Sequence, residues 1–161
     1  DPGQKPIGLC GSGIIDVISE LFSAGIINPK GKFVREGERI HRDKYGMGSY
    51  VLAFQKDAGA EKDVEITEVD IDNFIRAKGA IFSAIRTMLN SLEFDVSMIE
   101  EVYVAGGIGS GINMKNAVNI GMFPDIPLEK FHYIGNSSLS GAIPCSFPKR
   151  QNAKPTRLHP I

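Results

Sequence analysis

Gly106, Gly107, Gly109 and Gly111, with Ser110 among them, follow directly on the apolar run Val102, Tyr103, Val104 and precede a stretch able to form a helix. A glycine-rich turn between strand and helix lets backbone approach a ligand closely and aims helix N–H groups at it, which is how many nucleotides are held. The spacing imitates part of a dinucleotide fingerprint, but that fingerprint belongs to a first βα unit and needs an acidic residue at the end of the next strand. Here the turn lies well past the middle of the chain, and the next strand-like run, Phe131 to Ile134, ends in Gly135 and Asn136. The dinucleotide reading is therefore weak, and a tight corner without a ligand is the plain alternative.

No other residues form a catalytic constellation. His41, His132 and His159 are scattered, and no serine or cysteine sits in a nucleophile elbow. Asp16, Glu20, Asp70, Asp72, Glu100 and Glu101 fall at helix starts or on polar faces, where dipole and solubility account for them. Cys10 and Cys145 are the two cysteines, without CxxC spacing or a histidine cluster, so neither a disulfide framework nor a metal site is signalled. Basic side chains number 18 and acidic ones 19, a net charge of -1 that carries no electrostatic footprint for nucleic acid. No apolar stretch approaches the roughly 20 residues of a membrane helix, and no signal peptide opens the sequence. A cytoplasmic location is expected. Asp1 in place of Met suggests a piece of a longer protein.

The elements that must position the glycine turn can be read from periodicity. With 161 residues and 42% hydrophobic side chains the chain fits one compact domain. Ile14, Ile15, Val17, Ile18, Leu21 and Phe22 predict a helix from about Gly13 to Ala24, with Ser12 as N-cap and Gly25 after its end. Residues 28–48 read as a loop. Ser49 to Phe54 and Val64 to Thr67 predict a hairpin around the polar turn Lys56 to Lys62. A long helix runs from Glu68 to Leu92, with Thr67 and Asp70 as a capping box. Its small residues Ala77, Gly79, Ala80, Ser83 and Ala84 predict a close neighbour, since a mid-helix glycine costs roughly 1 kcal/mol against alanine. A strand from Glu101 to Ala105, the glycine turn, a helix from about Asn113 to Ile120, a strand from Phe131 to Ile134 and a helix capped from Gly135 to Ser138 complete the order. Alternating β and α units late in the chain indicate an α/β fold with some parallel pairing.

Four separated segments, GLCGSGIIDVISELFSAGIINPKGKF, KGAIFSAIRTML, AGGIGSGINMKNAVNIGMFPDIP and GNSSLSGA, occur in this order between about residues 5 and 142. Together they resemble the C-terminal part of the actin-like (ASKHA) ATPase domain of reductive activators of corrinoid proteins. The resemblance implies a ribonuclease-H-like, actin-like ATPase subdomain, incomplete, with mixed sheet and flanking helices. Residues 1–142 would be the C-terminal half of that nucleotide-binding domain. Members of the family use ATP to drive an electron from an iron–sulfur domain onto a Co(II) corrinoid, restoring Co(I). The resemblance assigns the adenosine wall to Gly106, Gly107, Gly109 and Ser110, with Arg76 and Lys78 of the long helix toward the ribose and Gly135 and Asn136 lining the same side. It also implies ATP with Mg²⁺ as cofactors of the parent, a corrinoid protein as partner, and an N-terminal half-domain and a ferredoxin-like iron–sulfur domain outside this sequence.

Two other readings stand beside it: a non-catalytic module docking a corrinoid protein, and a fragment of another kinase of actin-like fold. Residues 143–161, IPCSFPKRQNAKPTRLHPI, form an atypical basic tail, read as disordered or as the product of a shifted reading frame. Without a regular last helix, apolar surface around Leu139 would favour self-association as a homodimer.

Overall fold

The computed structural model describes residues 3–106 and 111–146. Helix α1 (Gly11–Ser23) is followed by strands β1 (Ile40–Arg42), β2 (Gly48–Ala53) and β3 (Val64–Thr67), then by helix α2 (Glu68–Ser91). Strand β4 (Val102–Ala105), helix α3 (Met114–Asn119), strand β5 (Phe131–Gly135) and helix α4 (Ser137–Ser146) follow. The antiparallel and parallel pairings fall in two sheets: β1-β2-β3 is antiparallel throughout, and β4 pairs in parallel with β5.

Local chemistry explains most boundaries. Helix α1 starts two residues earlier than the sequence predicts, and Ser12 is not its N-cap. Cys10 is extended, and its carbonyl accepts from the Ile14 N–H at 3.0 Å. Ser12 is thus already inside the first turn. The helix ends as predicted, with Gly25 at φ +63° and a Schellman pair, Ile26 N–H to the Leu21 carbonyl and Gly25 N–H to the Phe22 carbonyl. Helix α3 closes the same way through Gly121, and α2 does so through Glu93, which takes φ 56° without being glycine. The Thr67–Asp70 capping box that opens α2 is present as expected.

The segment 28–48 is more ordered than a loop. Ile27 bridges Phe33 around Asn28, whose side-chain oxygen accepts from the Lys30 and Lys32 amides. Asp43 organises the turn between β1 and β2 in the same manner, accepting from the Tyr45 and Met47 amides. Strand β1, Ile-His-Arg, carries no apolar alternation. Its register is supported by guanidinium groups on carbonyls: Arg42 on Phe33 and Arg39 on Val51 and Leu52.

The main core joins Ile18 and Leu21 of α1 with Ile27, Phe33, Ile66 and Ile71. Burying side chains such as Ile66 and Ile71 contributes about 1.5–3 kcal/mol each. Among the described residues the predicted neighbour of Gly79 is not found: apart from its own helix backbone, none of their atoms lies within 4 Å of where its Cβ would be. The core takes Ile71, Phe74 and Ile75 of α2, so the small-residue face points the other way.

Glu68, 5% exposed, ties the core together. Its carboxylate accepts from the Phe33 amide at 3.0 Å and from Lys32 Nζ at 2.8 Å, and it sits in the favourable first turn of α2. Burial alone would raise its pKa, but Lys32 and the Phe33 and Gly48 N–H groups outweigh it and hold the pKa below the usual glutamate value of 4.5. A lowered folded pKa contributes stability above the unfolded value and loses it as pH falls through the folded one. Glu68→Gln is therefore expected to lower stability at neutral pH by about 2 kcal/mol in urea unfolding, with the gap to wild type narrowing once pH falls below the usual glutamate range. An equal gap at all pH values would contradict this. At the end of α2, Glu93→Gly relieves a left-handed non-glycine residue and is expected to raise stability by about 0.5–1 kcal/mol in urea unfolding.

Candidate nucleotide-binding turn

The carboxyl ends of β4 and β5 lie side by side, the position at which α/β sheets bind ligands. Both strands end in glycines with positive φ, Gly106 at +108° and Gly135 at +74°. The Gly106 N–H donates to the Gly135 carbonyl at 2.8 Å, and Tyr133 Oη donates to the Gly106 carbonyl at 2.9 Å. The start of the glycine turn is therefore fixed to the end of β5. Asn136, next along, caps α4 by accepting from the Leu139 N–H. Gly106, Gly135 and Asn136 thus share one edge, as the sequence reading grouped them; Gly107, Gly109 and Ser110 lie outside the described residues.

Beyond the turn, Asn113 accepts from the Asn116 amide and opens α3. Helix α3 lies along α1. Ala117 and Ile120 pack with Ile15, and a polar row runs beside them. Asn116 Nδ2 donates to Asp16 Oδ1 at 2.7 Å, and Asn119 Nδ2 reaches Ser19 Oγ at 3.2 Å and Ser23 Oγ at 3.1 Å. Asp16 is therefore a partner of α3 rather than a solvating carboxylate. Residues 12, 16, 19 and 23 follow a helical spacing, a polar stripe on an otherwise apolar helix that was legible in the sequence.

Arg76 and Lys78 hold other partners. Arg76, with its side chain 77% exposed, bonds Asp72 one turn earlier on α2. Lys78 donates to the Ile120 carbonyl at the C-terminal end of α3, a favourable place for a cation. A cavity of about 260 Å³ opens beside Lys78, lined by Ile18, Phe22, Phe74 and Ile75 among others, at the opposite end of α3 from the glycine turn. Among the described residues no three His, Cys, Asp or Glu side chains converge as a metal site, and no helix is long and apolar enough to cross a membrane.

Strand β4, helix α3 and the parallel neighbour β5 form a βαβ unit of an α/β domain, and the comparisons place that domain in the actin-like, ASKHA class. The comparison of folds agrees: a solved reductive activator for corrinoid, iron–sulfur protein superposes with TM-score 0.82 and 47% identity, covering 89% of this chain and 23% of that one. Residues 2–159 match the family described as the C-terminal domain of RACo, the ASKHA domain, and the chain belongs to that family. It is 32% identical over 148 residues to the corrinoid activation enzyme RamQ of Eubacterium limosum, covering 85% of this chain and 24% of that enzyme. It is 25% identical over 138 residues to the Co(II) methylated amine-specific corrinoid protein reductase of Methanosarcina barkeri, covering 86% of this chain and 22% of the reductase. The chain thus spans about a quarter of the length of these relatives.

Cys10 lies at the N-terminus of α1 with its thiol exposed. Its Sγ is 3.3 Å from Ser12 Oγ, and this contact, with the Gly13 N–H, places the thiol pKa below its usual 9.0. More thiolate at neutral pH means faster alkylation. Ser12→Ala is expected to slow Cys10 modification by iodoacetamide at pH 7.5, measured by mass spectrometry of the Cys10 peptide, and an unchanged rate would contradict the Ser12 contribution.

Proposed function

We propose that this chain is the adenosine-binding half of the ATPase domain of an iron–sulfur reductive activator, one that uses ATP to drive reduction of Co(II) corrinoid proteins to Co(I). The observation that carries this reading is the fixed left-handed Gly106 at the carboxyl edge of the parallel strands, in a chain of the ASKHA family. A glycine turn without side chains leaves room for a flat base against backbone. Gly106, Gly107, Gly109 and Ser110 would form the adenosine wall, with Arg76 and Lys78 exchanging their present partners for the ribose.

The residues assigned here, glycines, a serine and two cations, would serve adenosine rather than the remainder of the cofactor. Mg²⁺ and the phosphates need clustered carboxylates and charged loops, and these would come from the N-terminal half of the domain. Two cysteines cannot supply the four thiolates of an iron–sulfur cluster, so the cluster would belong to a separate ferredoxin-like domain. The role of this chain's own residues is binding and orientation: the turn holds adenosine while the electron passes elsewhere in the protein. A corrinoid protein is the proposed partner, since the curated relatives are named as corrinoid activation enzymes and reductases. Those names favour an activator over a sugar-kinase fragment.

In the full-length protein, MgATP is expected to shift the amide resonances of Gly107 and Ser110, whereas the isolated chain is expected to hydrolyse no ATP above blank at millimolar concentration. Hydrolysis by the isolated chain, or a nucleotide-bound full-length protein with those resonances unmoved, would overturn the assignment.

A further inference from the structure

The turn between β1 and β2 is held more firmly than a plain connection requires. The Asp43 carboxylate accepts from the Tyr45 and Met47 amides, each at 2.8 Å. The Asp43 N–H donates to the Met47 carbonyl at 3.0 Å, and Gly46, at φ +78°, donates back to the Asp43 carbonyl. On this fixed backbone Tyr45 is 81% exposed, its ring in water with Lys44 Nζ 4.9 Å from the ring centroid. Arg42 lies alongside: its guanidinium donates to the Gly46 carbonyl at 3.4 Å and to the Phe33 carbonyl at 3.1 Å, next to Val34, which is 57% exposed. Scattered exposed apolar residues need no explanation, but a tyrosine, a valine and an arginine gathered on one rigid turn have the composition of an interface centre.

We propose that the β1–β2 turn is a docking surface for an acidic protein partner, with Tyr45 entering an apolar socket and Arg42 and Lys44 meeting carboxylates at its rim. The partner it fits is the corrinoid protein, and the inference rests on that part of the reading above. Charge points to the acidic side. Six of the nine charged side chains between residues 28 and 48 are basic, although the chain as a whole carries a net charge of -1. The basic character is therefore local to this segment, where it can steer an approaching partner. Among the described residues Arg42 and Lys44 form no ion pair: carbonyls hold the one and an aromatic ring the other, which leaves both charges unneutralised. Asp43, between them, already accepts from two amides. Because the backbone and the guanidinium are fixed in advance, little order is lost when a partner binds. The bonds and ring contact of the turn run to residues 33–47, so partner docking here is separable from nucleotide binding.

The test is binding of the full-length protein to the corrinoid protein of the same organism, followed by biolayer interferometry. Tyr45→Ala is expected to weaken binding about tenfold, and Tyr45→Phe to stay within about threefold of wild type. Lys44→Glu is expected to weaken it about tenfold at low salt, chiefly through slower association, with the difference shrinking near about 0.5 M NaCl. Neither side chain belongs to a core cluster, so thermal midpoints and MgATP affinity should match wild type in all three variants. Undiminished binding by both Tyr45→Ala and Lys44→Glu overturns the docking surface while leaving the activator reading intact. A wild-type protein that binds MgATP but not the corrinoid protein overturns the partner, and this inference with it. Two further measurements exclude other occupants. Hydroxyl-radical footprinting that finds Tyr45 already shielded in the free monomer would assign the surface to another part of the same protein, and a change of sedimentation in Tyr45→Ala would assign it to a second copy; either result overturns the inference.

Discussion

Ala117, fully buried against Ile15, is the contact on which the geometry of the candidate site depends. Only a small side chain lets α3 approach α1 closely enough for Asn116 and Asn119 to reach Asp16, Ser19 and Ser23. Helix α3 has six residues and little stability of its own, because a helix this short makes few internal hydrogen bonds. Its position comes from α1, and α1 is held in turn by the larger core of Leu21, Ile27, Phe33, Ile66 and Ile71. Lys78 adds a cation at the far end of α3, linking it to α2. Gly106, bonded to the Gly135 carbonyl, and Gly111, packed close to Ser12, take their places from these contacts.

The second sheet has a different character. Parallel strands are normally covered on both faces, yet Tyr103, His132 and Ile134 line one face of the β4–β5 pair, with Tyr103 60% and Ile134 48% exposed. Tyr103 packs on His132, and its hydroxyl bonds Glu101, which raises the phenol pKa. The opposite face is better served, where Phe131 meets Phe123. The exposed face of α2 at Ala77, Gly79 and Ala80 is open in the same way. These open faces suit a unit that works inside a larger protein, in keeping with relatives about four times its length.

Much of this organisation was legible in the sequence because it follows local rules. The Thr67–Asp70 box, the Gly25 helix stop, the β2–β3 hairpin and the parallel β4–β5 unit each depend on residues close together or on simple periodicity. Strand β1 was not legible, because Arg39 and Arg42 hold it through backbone carbonyls rather than through an apolar pattern. Ser12 looked like an N-cap because its type and place suited one, but the extended Cys10 took that position and freed Ser12 to face Gly111. Asp16 read as a solvated carboxylate, and the buried role of Glu68 went unread, for a related reason: their partners lie 100 and 35 residues away in the chain. The adenosine assignment came from family motifs, and periodicity alone would have left the turn a corner.

Photolabelling of the full-length protein with an azido-adenine analogue of ATP, followed by peptide mapping, tests the adenosine assignment most directly. Label is expected on the peptide containing residues 106–111, suppressed by excess ATP. Label confined to peptides outside residues 106–111 and the Gly135–Asn136 edge, and equally suppressed by ATP, would contradict adenosine binding at this site.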